Sequence, residues 1–170
     1  MDFLSTLPSD VGGLAVNWRF VTFNNQTNYE PKPITLRFPR YDGMNMHVKT
    51  IARAEALHKS TMYTPHSITY DEDSPFVTKD SSGNVVEGPF NDEMPSNVVV
   101  LAHYHTKSLE EFKERCSRGR ADMSKDEDPH SVACRSDEEI LSSFPSKTSI
   151  IDDTAWKLLK ERVPKYSRFD

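Results

Sequence analysis

At 170 residues, 36% of them hydrophobic, the chain is long enough for one domain with a real core and short for two. A formal net charge of -5 and a pI near 5.7 exclude an electrostatic nucleic-acid binder, which needs a concentrated basic face. Two cysteines, Cys116 and Cys134, exclude a disulfide framework and allow one bridge at most.

A mean hydropathy of -0.65, with 11 prolines against 6 glycines, predicts stiff loops between short elements. The fold class expected is α/β, a mixed sheet with a β-hairpin, two or three flanking helices and long loops. The longest purely apolar run, 98–102, is far too short to span a bilayer. Residues 1–13 lack the basic segment and long apolar core of a secretory signal, so a soluble chain without a targeting address is expected.

In chain order, Gly13 to Phe23 is dense in β-branched and aromatic residues and predicts a strand, with Gly12 and Gly13 read as a flexible lead-in. Asn24 to Pro39 is polar and proline-interrupted, a loop with a short edge strand over Ile34–Phe38. Asn45 to Arg53 alternates as a half-buried strand does. Pro75 to Phe90 predicts a hairpin, Phe76–Lys79 and Asn84–Glu87 about an Asp-Ser-Ser-Gly turn.

A strand over Val98–Tyr104 leads straight into a helix. Ser108 and Glu111 form a Ser-x-x-Glu capping box, Leu109, Phe112 and Cys116 fall on one face, and Gly119 is a natural stop. Ser124 to Pro129 is charged and reads as a loose acidic insert. A last helix runs from about Asp153 to Val163, with Trp156, Leu159 and Val163 on one side and Pro164 at its end.

The chemistry concentrates in the strand–helix corner. His103 and His105 lie two apart on a strand and share a face, so together they could hold a divalent cation, or one could hold it while the other supports it. The plainer alternative is one buried histidine with a backbone partner and one solvated. With Glu110 they spell His-x-His-x4-Glu, similar to part of the cupin metal motif, although Glu110 falls in the first turn of a helix.

Lys107, Arg115, Arg118 and Arg120 crowd one short segment of an acidic chain. Guanidinium groups suit a nucleotide diphosphate because they offer planar, paired donors, while cations also suit the carboxyl end of any exposed helix. His47 and Lys49 alternate along a strand and either join a phosphate site or line an exposed edge; Trp18 reads as core. Among carboxylates for a general base, spacing does not rank Asp10, Asp71, Glu72, Asp73 and Glu87. Cys116, His130 and Cys134 lack a CxxC knuckle, and neither a P-loop nor a GxGxxG is present.

The blocks Gly12-Gly13-Leu14-Ala15-Val16-Asn17-Trp18-Arg19, Asn45-x-His47-Val48-Lys49-Thr50-Ile51, Gly88-Pro89-Phe90-Asn91, His103-Tyr104-x-Thr106-Lys107-Ser108-x-Glu110-Glu111-Phe112 and Arg118-Gly119-Arg120-Ala121-Asp122 follow one another in this order. In that order the chain resembles glycosyltransferase family 92 and the similar family-2-like GT-A enzymes. The resemblance implies transfer of a sugar from a nucleotide-sugar donor to a glycan or protein-linked acceptor, usually with Mn²⁺, on the lumenal side of the Golgi membrane. It implies His103, and less so His105, at the metal or diphosphate. It also implies Lys107, Arg118 and Arg120 beside the donor diphosphate, where His47 and Lys49 are the further candidates from strand alternation, and it places Asp10, the candidate base, at the head of an acceptor-side strand.

The resemblance divides the chain into 1–122, the carboxyl-terminal half of a GT-A domain, and 123–170, an acidic loop and a helix packed on it. No Asp-x-Asp-Glu-Phe motif precedes Asp10, and Phe20-Val21-Thr22-Phe23-Asn24 stands where the family carries Phe-Gly-Ser-Ser-Gly. A hard divalent ion wants several oxygen ligands, so Mn²⁺ would be held poorly by one histidine. The expectation is a fragment that lacks the amino-terminal half as partner and is inactive alone. A non-catalytic carbohydrate- or partner-binding α+β domain is the rival expectation.

Overall fold

The computed structural model describes residues 3–64, 66–119, 135–144 and 150–169. They form a mixed α/β arrangement of short strands, a few helices and long loops. Two compact units, each built from two chain segments, divide the chain. Unit 1 holds Met1–Arg19 and Met44–Ala102, and unit 2 holds Phe20–Gly43 and His103–Asp170. Both of them draw on residues 1–122, and residues 123–170 fall in unit 2. Residues 124–129, read as the loose insert, lie outside the described residues.

The central strand is β1, Val11–Val21. Its first seven residues are all buried, as in a strand covered on both faces. β1 pairs antiparallel with β3, Met44–Ala52, which follows the two-residue β2, Arg40–Tyr41. A short 3₁₀ segment at Ala54–Lys59 leads to a hairpin of β4, Ser60–Thr64, and β5, Ser67–Tyr70. β6, Val77–Lys79, lies parallel to β1, and β7, Leu101–Tyr104, also pairs with β1.

Gly12 and Gly13 were expected to lend flexibility; the structure gives them another reason. A Cβ on Gly12 would sit 2.7 Å from the Phe76 Cβ and 2.8 Å from the Ala56 Cβ, and one on Gly13 would sit 2.7 Å from Thr78 Oγ1. Neighbouring chain approaches β1 too closely for any side chain there.

The expected hairpin near Phe76–Glu87 is reduced to β6 and a single bridge between Lys79 and Val85. Its turn is held by Asp80, whose Oδ1 accepts the Ser82 and Asn84 N–H groups at 2.9 and 3.0 Å, with Gly83 at φ 89°. The strand expected over Val98–Tyr104 shortens to β7; Val98 is 51% exposed and outside the ladder.

In unit 2 the edge strand expected over Ile34–Phe38 is instead a helical turn, α1, Ile34–Arg37. Pro33 fixes its start, and its carbonyl accepts the Leu36 and Arg37 N–H groups at 3.0 and 3.1 Å. β2 pairs with β8, Ile150–Ile151.

The helix predicted after the two histidines is α2, Leu109–Arg118, with the Ser108–Glu111 capping box in place and Gly119 at φ 75° after its end. A second capping box, Ser136–Glu139, opens α3, Asp137–Ser143. α4, Thr154–Arg162, packs against α1. Phe23, Leu109, Phe112, Cys116 and Ile140 form the unit 2 core, with Leu141 and Phe144 against it.

Candidate functional site

β7 ends at Tyr104 with His103 as its penultimate residue, and the His105 N–H donates to the Val21 carbonyl at 3.0 Å. Residues two apart on extended chain face one way, and the two imidazoles do meet, with ring centroids 5.4 Å apart. Phe20 underlies both, 5.9 Å from His103 and 5.0 Å from His105, and Phe144 lies 5.2 Å from His105. Both rings are half-buried on this aromatic floor.

The next residues turn the chain into α2. Thr106 and Ser108 are buried, and Lys107 between them is exposed with φ 60°, a left-handed conformation unusual for a residue with a side chain. That strand-to-helix turn holds the Lys107 ammonium in solvent beside the histidines in sequence. The amino end of α2 is not a vacant anion site. Ser108 Oγ accepts the Glu111 N–H at 3.3 Å, and the Glu111 carboxylate accepts from Ser108. Glu110 and Glu111 already place negative charge at the positive end of the helix dipole.

Arg115 has a structural use, donating from Nη1 to the His105 carbonyl at 2.6 Å with its guanidinium 4.8 Å over the Phe112 ring. Arg118 is exposed in the last turn of α2, and Arg120 lies outside the described residues, as do His130 and Cys134.

The remaining sequence candidates belong to unit 1. Lys49, on β3, pairs with Val16 of β1. Asp10, candidate base, is ion-paired with Lys79 at 2.9 Å, and that hydrogen bond holds its carboxyl below the ordinary value. A carboxyl so held is a weaker base at neutral pH.

Trp18 is half-buried, not core, and lies flat against His47 with centroids 4.8 Å apart and planes 16° apart. Phe90 stands edge-on to His47 at 4.8 Å. His66 was not anticipated. It joins the cluster from just before β5, and neither spacing nor periodicity in the sequence marks it.

The Mn²⁺ expected from the resemblance does not fit what is present. Among the described residues no three His, Cys, Asp or Glu side chains are placed to hold one ion. Two imidazoles without carboxylates are also a poor donor set for a cation that prefers oxygen. Among the described residues no helix is long and apolar enough to cross a membrane. No protein-family model, curated protein or solved structure matches this chain.

Proposed function

We propose that the chain is part of a glycosyltransferase that uses a nucleotide-sugar donor, with the His103–His105 corner of unit 2 facing the donor diphosphate. The observation that carries the reading is the pair of imidazoles, 5.4 Å apart on one face where β7 turns into α2. Imidazole N–H groups donate to phosphate oxygens; Lys107, exposed and next in sequence but one, adds a cation. Such groups act by favouring the charge that gathers on a departing nucleoside diphosphate.

No step is assigned to Mn²⁺. On this reading the carboxylates that would hold it are supplied by a partner amino-terminal half of the domain. On this reading the chain alone turns over no donor, and the whole protein works in the Golgi lumen on a glycan or protein-linked acceptor.

Calorimetric titration of the chain with UDP and with GDP tests the reading. Saturable binding of one of them, weakened about tenfold by H103A with H105A, supports it, since a charged hydrogen bond contributes about 1.5–3 kcal/mol. Affinity unchanged in that double variant, absence of binding to either, or steady donor hydrolysis by the chain alone sinks it.

A second reading, a non-catalytic carbohydrate-binding surface, is favoured by Phe90, 48% exposed beside the Trp18–His47 stack. Sugars that shift the Trp18 indole resonance with no nucleotide present would select it.

A further inference from the structure

We propose that His47 and His66 form a two-imidazole site for a late first-row divalent cation, with the Trp18 indole as one wall. The site lies wholly in unit 1 and is independent of the sugar-transfer reading.

The backbone prepares it. Pairing of β1 with β3 shifts register between Asn17 and Trp18, so that Asn17 faces Val48 while Trp18 faces Asn45. Met46 and His47 fall in the slack. Irregularities of this kind bend a strand and re-aim its side chains. Here the His47 ring is laid on Trp18, and the His66 ring comes to 6.1 Å from His47 and 5.4 Å from Trp18.

Each imidazole has one nitrogen committed. The Val48 carbonyl accepts from His66 Nδ1 at 2.9 Å. Asn45 Oδ1 accepts the His47 backbone N–H at 2.9 Å and lies 2.7 Å from His47 Nδ1. Both oxygens are acceptors, so in the neutral rings Nδ1 carries the hydrogen and Nε2 keeps the lone pair. Metal-ligating histidines are held in this way, the second nitrogen donating to a carbonyl or carboxylate.

The spacing agrees with a shared ion. With metal–nitrogen bonds of about 2.1 Å, two rings on one ion have centroids roughly 4.5–6.4 Å apart as the angle at the metal opens, and 6.1 Å lies toward the wide end of that range. Imidazole pairs favour Cu²⁺, Ni²⁺ and Zn²⁺ over Mg²⁺ and Ca²⁺, and Cu²⁺ is held most tightly.

Copper itself is the probe. In the full chain carrying W156F, which leaves Trp18 as the remaining tryptophan, Cu²⁺ is expected to quench emission with saturation at one ion per chain. H47N and H66N each shift the midpoint about tenfold or more, N45A shifts it about 10–100-fold as a ring-orienting contact, and H103N with H105N leaves it in place. A midpoint unmoved in both H47N and H66N, or one abolished by H103N with H105N, overturns the site. A second measurement needs no variant. Substoichiometric Cu²⁺ should broaden the His47 and His66 ring resonances of the unaltered chain before any other, and first broadening at another histidine overturns it equally.

Discussion

Arg37 and Glu111 meet through two arms, Nη1 2.8 Å from Oε2 and Nη2 3.0 Å from Oε1, with side chains 4% and 15% exposed. Sequence places them far apart; in unit 2 the pair ties the helical turn α1 to the capped end of α2. Burial raises the Glu111 pKa, but hydrogen bonds from Arg37 and Ser108 outweigh it and bring the group from 4.5 down to about 2. A carboxylate with a depressed folded value contributes stability that is present above its unfolded pKa and lost as pH falls. Here the loss runs from pH 4.5 to about 2 and totals roughly 3 kcal/mol. Urea unfolding across that window should display the slope in the natural chain and lack most of it in E111Q. R37A should cost about 3 kcal/mol or more at neutral pH, because it strands a buried charge. An R37A variant within about 0.5 kcal/mol of the parent contradicts the account.

His47 adds to the same acid arm of the pH curve, at higher pH. Its folded pKa is depressed from 6.5, by burial first and then by His66, so the native state resists taking up a proton that the unfolded chain accepts. Stability is therefore full above pH 6.5 and declines as pH falls through the folded value. Titration of the His47 ring proton should show a midpoint below 6.5, and H66N should move that midpoint upward by removing the neighbouring positive charge. A midpoint at or above the ordinary value would count against the packing of these two rings.

Local signals were legible from the sequence, and long-range ones were not. The Ser108–Glu111 capping box, the helix face of Leu109, Phe112 and Cys116, and the Gly119 stop depend on neighbours within a turn or two, and all were readable. The shared face of His103 and His105 follows from strand geometry alone. His66 reaches His47 on β3 from the turn just before β5, and Arg37 finds Glu111 from a different element, so no short window of sequence contains either pair. At Ile34–Phe38, β-forming side chains suggested a strand, but Pro33 and the bonds it accepts favoured a helical turn.

Gly12 supplies a test of close packing at the head of β1. A methyl there meets the Phe76 and Ala56 Cβ atoms at 2.7 and 2.8 Å, atoms fixed to backbone and unable to swing aside. G12A should cost about 1–3 kcal/mol in urea unfolding. Gly83 is the comparison, with φ 89° and nothing within 4 Å of its absent Cβ. G83A should cost about 1–2 kcal/mol from backbone strain alone, leaving the neighbourhood of β1 unchanged in its amide resonances. Equal resonance changes around Phe76 in both variants would discredit the crowding argument.

The register shift that serves the Trp18 cluster is held by a buried amide, and the last prediction concerns it. Asn17, 1% exposed, donates from Nδ2 to the carbonyls of Asn45, Met46 and Asn91 at 3.1, 3.2 and 2.9 Å. Its Oδ1 accepts from Asn91 Nδ2 at 3.0 Å, and Asn91 also reaches Asp80 Oδ2 at 3.2 Å. Asparagine alone fits, because the site needs donors toward three carbonyls and an acceptor toward Asn91. N17D keeps the shape and loses the donors, setting a carboxylate against carbonyl oxygens and near Asp80. It should cost about 2–4 kcal/mol, at least as much as N17A, since buried polar groups left unmet cost more than a cavity of this size. Freed of that clamp, the chain at Met46 and His47 should slip, and Trp18 emission should move to longer wavelength while the helical signal of unit 2 persists. An N17D chain as stable as the parent, with Trp18 emission unmoved, would mean that the amide merely fills space.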